Sequence, residues 1–362
     1  MSLKSVFLLT LIGNLFLSCG DQSKSEQSVK SPELKVRELA DTIGFAQYGW
    51  QMDSLIARID PGDKIPYDEV FKAAICPHDD YAYAGGLYSK TLEGIKAKTI
   101  VLIGVAHKAR IFNLENKLVF GSFDEWKSVY NNARVSPLRD KLLIELPKET
   151  YVVHDSMMQM EHSLEPIVHF LQSKNREIEI IPMLVPYFTD ENMESISDKL
   201  TLALRKIMKE ENLKFGEGLA IVISNDAIHY GDEGWGGDNM APMGVDESGT
   251  EMVRAKEMMI VDSCLVGEVT REKIKRFNEI TVDENNYKEY KWTWCGRYSI
   301  PFGLMLANKL NTLINAVHLN GILIDYRSSY HNAHLKVDDL KMGVTAPANI
   351  HHWVGYAGIV YK

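Results

Sequence analysis

A strand, a helix and a second strand close together in sequence constrain this chain more than any other feature. Residues 71–76 read as a short buried strand, and residues 99–105 form a second, wholly apolar one. Between them, residues 86–97 carry helical spacing. A unit of this kind places its two strands parallel, with the helix crossing over one face of the sheet. The alternation then continues. Strands are expected at 177–185, 219–224, 321–325 and 356–361, and helices at 161–173, 191–210, 247–266 and 301–311. Residues 33–60 look like an amphipathic helical lead-in, and 117–130 like an irregular hairpin. At 362 residues the chain can bury a substantial core. The expected fold is α/β: a three-layer single domain with a mainly parallel central sheet flanked by helices.

The first residues are expected to stand apart from that fold. Lys4 precedes a short apolar run, 6–17, which ends in Leu17-Ser18-Cys19-Gly20. That pattern resembles a bacterial lipobox, with Phe16 where Leu is usual. Residues 1–18 then form a lipoprotein signal peptide, Cys19 takes the lipid, 19–32 make a flexible tether, and 33–362 form the domain. The chain is expected to be exported and lipid-anchored to a bacterial membrane, on the periplasmic or cell-surface side. Membrane contact would run through the anchor alone, because no second stretch is long and apolar enough to span. Loss of Lys4 with the signal takes the formal charge from −9 to −10. An acidic chain without a basic block is a poor match for nucleic acid. Three cysteines remain after Cys19, namely Cys76, Cys264 and Cys295, too few for a disulfide framework.

Polar motifs follow three of the apolar strands. Pro77-His78-Asp79-Asp80-Tyr81 follows the first, Gly104-Val105-Ala106-His107 ends the second, and Ser224-Asn225-Asp226 with His229 follows the strand at 219–224. Ligands of open α/β sheets bind at the carboxyl ends of strands, so these loops are expected to face one pocket. Cys295-Gly296-Arg297 precedes a helix, where the helix dipole and Arg297 would favour the thiolate. Two imidazoles and one thiolate suit a divalent transition metal such as zinc, copper or iron.

Six segments carry a resemblance. Ala74-Ile75-Cys76-Pro77-His78 with Tyr81 and Gly85, the segment ending in His107, Glu161-His162-Ser163-Leu164-Glu165, Ile180-Ile181-Pro182-Met183-Leu184-Val185, the Ser224 segment and Cys295-Gly296-Arg297 are similar, in this order, to motifs of the Memo family, known in bacteria as AmmeMemoRadiSam system protein B. That family is similar in fold to class III extradiol dioxygenases. The resemblance implies metal ligands at His78, His107 and Cys295, with iron favoured and copper or zinc as alternatives. It implies catalytic roles for His229 and Asp226, and a pocket including Tyr81, His162 and Arg297. The chain departs from the family pattern at Cys76, Asp79-Asp80, Lys108 and Ser299. The implied function is a non-haem iron, oxygenase-type enzyme acting on a small substrate. The alternatives are a non-catalytic peptide- or ligand-binding module, with cations at Lys108, Arg110 and Arg297, and a copper-handling redox protein. Of the remaining candidates, Cys76 is expected to pack in its strand, with a bridge to Cys295 as the alternative. Cys264 is expected in the core, Trp292 and Trp294 in the pocket wall, and His331, His334, His351 and His352 in surface turns.

Overall fold

In the computed structural model, residues 33–59 and 69–362 are described. The expected signal peptide, Cys19 and the tether lie outside the described residues. In chain order the elements are β1 (Val36–Arg37), α1 (Gly49–Arg58), β2 (Ala73–Cys76), α2 (Tyr81–Leu92), β3 (Thr99–Val105), β4 (Leu118–Phe120), β5 (Glu125–Trp126), β6 (Ala133–Val135), α3 (Leu138–Glu145), β7 (Tyr151–Val153), α4 (Asp155–Met160) and α5 (Glu165–Lys174). Then come β8 (Glu179–Val185), α6 (Asp190–Glu210), β9 (Leu219–Ser224), β10 (His229–Tyr230), α7 (Glu247–Ile260), β11 (Gly267–Glu268), α8 (Arg271–Thr281), α9 (Ser299–Asn315), β12 (Asn320–Ser328) and β13 (Trp353–Tyr361).

One sheet runs in the order β1-β5-β6-β8-β3-β9-β2-β13-β12-β11. Its centre, β6-β8-β3-β9-β2, is parallel, and β13, β12 and β11 add antiparallel strands at one side. The two faces follow the pleat. Ile75, Val101, Ile103, Ile181 and Ile221 point into one core with α6 and α9. Ala74, Ile100, Leu102, Ile180 and Val222 point into the other with α1, α2 and α5. Both faces are covered, which explains why the parallel strands are apolar throughout rather than alternating. The expected three-layer α/β class is what the chain adopts. Gly303 lets α9 lie close to the sheet, since a Cβ there would stand 2.5 Å from Ile223.

Several local expectations need correction. The lead-in at 33–60 is helical only from Gly49, because β1 pairs in parallel with β5. The segment at 117–130 is not a hairpin. β4 joins β7 and β8, whereas β5 joins β1 and β6, so its two halves belong to different parts of the sheet. The first crossover helix begins at Tyr81, five residues before its expected start. The helix expected from residue 161 begins at Glu165 instead. Residue Glu161 directs its own carboxylate at the N–H groups of His162 and Ser163, an alternative to helical bonding for that stretch. The helix at 247–266 ends at Ile260 and is followed by a wider turn through Cys264.

Candidate metal centre

Parallel pairing removes the sequence separation between the polar motifs. Cys76 of β2 is level with Ser224 of β9, so His78 and Asp226 both lie two residues beyond a matched pair. β9 is also level with β3, whose exit carries His107. The carboxyl ends of β2, β9 and β3 therefore present their loops side by side. Cys295 arrives from the segment before α9. Gly296 beside it allows a close approach: its N–H donates to Asn225 Oδ1 at 2.9 Å, where a Cβ would collide.

The resulting geometry is compact. One ring nitrogen each from His78 and His107, together with Cys295 Sγ, all lie within 4.8 Å of one another. His78 Nε2 is 3.5 Å from Cys295 Sγ and 3.2 Å from Asp226 Oδ2. A second set of donors, Asp226, His229 and Cys295, meets the same 4.8 Å limit and shares the sulfur. The three cysteines among the described residues, Cys76, Cys264 and Cys295, are buried and free, so the alternative of a Cys76–Cys295 bridge is not formed.

Hydrogen bonding determines which ring nitrogen is available. Ser224 donates its hydroxyl proton to Ser163 O at 2.5 Å, so its oxygen accepts from His78 Nδ1–H at 2.7 Å. The lone pair of His78 is then on Nε2, the nitrogen facing Cys295. His107 Nδ1 stands 2.8 Å from Glu161 Oε1, which also leaves its lone pair on Nε2. A carboxylate or carbonyl behind a histidine is the usual orienting partner of a metal-bound imidazole. Glu161 further accepts the backbone N–H of His107 at 2.8 Å. Burial opposes its charge, but the attraction and hydrogen bond of His107, with His162 and Ser163, hold its pKa at about 2. Glu161 thus stabilises the fold fully above its ordinary 4.5, and that contribution is lost as pH falls toward 2. Arg37, buried and paired with Glu165, donates to the Glu161 carbonyl and fixes this segment from behind. In the sequence Glu161 stands out only as part of a motif. Its place directly before His162 was the available signal for its role.

The surrounding groups are held in contrasting charge states. Burial, then the nearby His107, His162 and His229, push His78 well below its ordinary range and keep it neutral. Burial does the same to His229, to about 3, and its Nε2 is buried without a partner. His162 behaves oppositely. Desolvation works against its charge, yet the hydrogen bond to Asp41 at 2.5 Å and the Glu161 charge raise it to about 9. Burial and Asp79 push the Asp226 carboxyl well above the carboxylate range. Cys295 corrects an expectation. Burial and then Asp226 raise its thiol well above its ordinary value, despite Arg297 and an N–H from Asp226 at 3.1 Å. Helix α9 starts only at Ser299, and desolvation outweighs the charges that would favour a free thiolate.

A cleft of about 250 Å³ opens over these groups, lined by His78, His107, His162, Asp226, His229 and Trp235 among others. Other residues depart from their expected places. Tyr81 faces the core, bonding Pro166 O at 3.1 Å and His169 Nδ1 at 3.0 Å. Trp292 and Trp294 are buried and donate to Glu257 rather than walling the cleft. His352 lines the cleft and stacks on Trp235, with ring centroids 4.0 Å apart. His331 and His334 make local turn contacts to Ser328 and Ser329. Cys264 is buried as expected. Arg297 lines an adjoining cleft of about 290 Å³ that also reaches His107 and Cys295.

Fold and site together define an α/β protein with a group of histidine and cysteine side chains, at the carboxyl edge of its sheet, able to hold a metal ion. The chain belongs to the Memo family: the model described as Memo-like protein matches residues 47–340. It is similar to a MEMO1 family protein of Archaeoglobus fulgidus, 26% identical over 180 residues that cover 49% of this chain and 62% of the relative. A MEMO1 family protein of Pyrococcus furiosus is 23% identical over 168 residues, covering 44% of this chain and 53% of the relative. The matches therefore span somewhat over half the length of these curated relatives.

Proposed function

We propose that this chain binds one divalent transition metal through His78 Nε2, His107 Nε2 and Cys295 Sγ, and uses it in oxidative chemistry on a small substrate. The observation that carries this reading is the pair of imidazoles whose Nδ1 atoms are engaged by Ser224 and Glu161, leaving two lone pairs beside one sulfur. The donor set fits a metal with borderline preferences, and iron is the favoured occupant. Iron(II) held there would supply one-electron chemistry and open positions for oxygen or a chelating substrate.

The chain's own residues would handle orientation and protons. Neutral His229 offers an unpartnered Nε2 as acceptor for a substrate hydroxyl. Cationic His162 stands beside His78 and His107, at ring separations of 5.8 and 5.1 Å, as a proton donor at neutral pH. Neighbouring groups pushed apart in pKa in this way are suited to opposite acid and base roles. Of the three cations that the peptide-binding alternative would use, Arg110 pairs with Glu289 at 2.7 Å and so has its charge met.

Protein purified without oxygen is expected to carry about one transition-metal ion per chain. It should then consume oxygen when catechol is added. Protein that neither retains nor takes up iron, copper or zinc would end the metal reading. Bound metal with no oxygen uptake would end the oxidative one. Glu161→Gln is expected to weaken metal binding about tenfold, the lower end for loss of a carboxylate behind a ligating histidine. Metal titration of the folded variant checks this, and an unchanged affinity would separate Glu161 from the centre.

A further inference from the structure

Three arginines are buried among the described residues: Arg37, Arg139 and Arg297. Arg37 pairs with Glu165 and Arg139 with Asp140. Arg297 has no such partner. It is 4% exposed, and no described Asp or Glu oxygen lies within 4.0 Å of its guanidinium. The group donates to Lys288 O at 2.8 Å and lies over the ring of Tyr290 at 3.5 Å, with Tyr298 at 5.4 Å. Its Nε is buried and has no hydrogen-bond partner among the described residues. Arginine keeps its charge in any surroundings, so the site holds a desolvated cation with a spare donor. Buried charges are ordinarily paired, and an unpaired one in a cleft wall calls for an anion from outside the chain.

We infer that Arg297 forms a binding subsite for the carboxylate of a small substrate that reaches the candidate metal centre. This deepens the proposed function and rests on its reading of the cleft as a substrate site. Arg297 shares its cleft with His107 and Cys295, so a ligand anchored on the guanidinium would extend toward the metal-binding atoms. The volume of about 290 Å³ suits a small molecule, and Val105, Val185 and Pro186 supply an apolar wall. Asp238 and Glu289 line the same cleft. Their acidic lining opposes a dianionic phosphate more than a carboxylate, which brings one negative charge to the one guanidinium. The other two cations nearby are already paired, Arg110 with Glu289 and Lys288 with Glu115 at 2.9 Å. Guanidinium and carboxylate are also matched in planar geometry.

The test compares three probes of one shape class on the purified full chain, by calorimetric titration with the metal removed. Benzoate is expected to bind at least about tenfold more tightly than neutral benzamide, and more tightly than phenyl phosphate, as one charge-assisted hydrogen bond implies. Arg297→Met should erase the benzoate preference, and Arg297→Lys should keep part of it, with melting curves confirming that both fold. Equal binding of benzoate and benzamide, or no benzoate binding, by the parent chain overturns the subsite whatever the variants do. Tighter phenyl phosphate binding overturns the assignment to carboxylates. A benzoate preference that survives in Arg297→Met, with metal uptake lost, makes Arg297 a counter-ion of Cys295 and overturns it too. Metal uptake on reloading is measured on separate portions of the same preparations. Normal metal uptake without benzoate preference sinks this inference alone, and benzoate preference without metal uptake sinks only the metal reading.

Discussion

Replacing Cys295 by serine is expected to lower metal affinity by at least about a hundredfold, the upper end of the losses caused by removing a partner behind a ligand. The sulfur stands 3.5 Å from His78 Nε2 and is the one thiol in the donor group. Serine nearly preserves its volume. A hydroxyl can still accept the Asp226 N–H that Sγ accepts at 3.1 Å. It does not ionise near neutral pH, so a divalent ion loses its anionic ligand and keeps two neutral imidazoles. Because burial already holds the thiol protonated in the metal-free chain, the substitution leaves the charge of that form unchanged. Its melting temperature should therefore barely move. Cys264→Ser is the control: that thiol is remote from the donor group, and metal uptake should stay at the parent level. Elemental analysis and melting curves decide the matter. Equal metal content in the parent and Cys295→Ser would remove Cys295 from the site and leave Asp226 and His229 to complete it.

The largest stability effect is expected at Glu257, far from any expected site residue in the sequence. This carboxylate is fully buried on α7 and accepts four hydrogen bonds. Trp292 Nε1 and Trp294 Nε1 reach one oxygen at 2.7 and 2.8 Å. Tyr326 OH and the Ile228 N–H reach the other at 2.8 and 3.1 Å. Glu257→Ala would strand all four donors in a dry interior. Each unsatisfied buried group costs about 1–3 kcal/mol, so a loss of about 3 kcal/mol or more is expected even after partial relaxation. Glu257→Gln keeps one oxygen and should cost markedly less. The donors join the segment carrying His229 to the segment carrying Cys295, which also meet through the bridge between Ile228 and Trp294. Glu257→Ala should therefore weaken metal uptake as well as stability. Denaturant unfolding measures the first effect. A loss below about 1 kcal/mol would mean that water replaces the carboxylate and that the clamp is not structural.

Much of the architecture was legible because it depends on local periodicity. The strand at Thr99–Val105 lies where the sequence predicts it to the residue, since an unbroken apolar run of that length suits a strand covered on both faces. Helix α6 starts within one residue of its expected position, where Thr189 caps the first turn. The segment around Phe120 and Trp126 departs from the hairpin its sequence suggests because its short strands find partners on β8 and β1, remote from it in sequence. The segment after Glu161 is not the helix start its sequence suggests because a buried carboxylate, rather than helix propensity, organises its N–H groups. Among the candidate site residues, His78, His107 and Cys295 were legible from polar motifs at strand ends and before a helix, and from resemblance. Asp41, which raises His162, carried no local signal at all.

The sequence by itself determined that the central strands are parallel and that their histidine-bearing ends open on one edge, because period and crossover length are properties of neighbouring residues. Tertiary structure decided the chemistry of those ends. Cys295 is a buried thiol rather than a free thiolate, His229 is neutral, His162 is charged, and Arg297 has no carboxylate partner among the described residues. Each of these states is a balance between desolvation and the groups that folding brings within a few ångströms. A sequence specifies those groups but not their distances, and electrostatic energies depend on distance and burial.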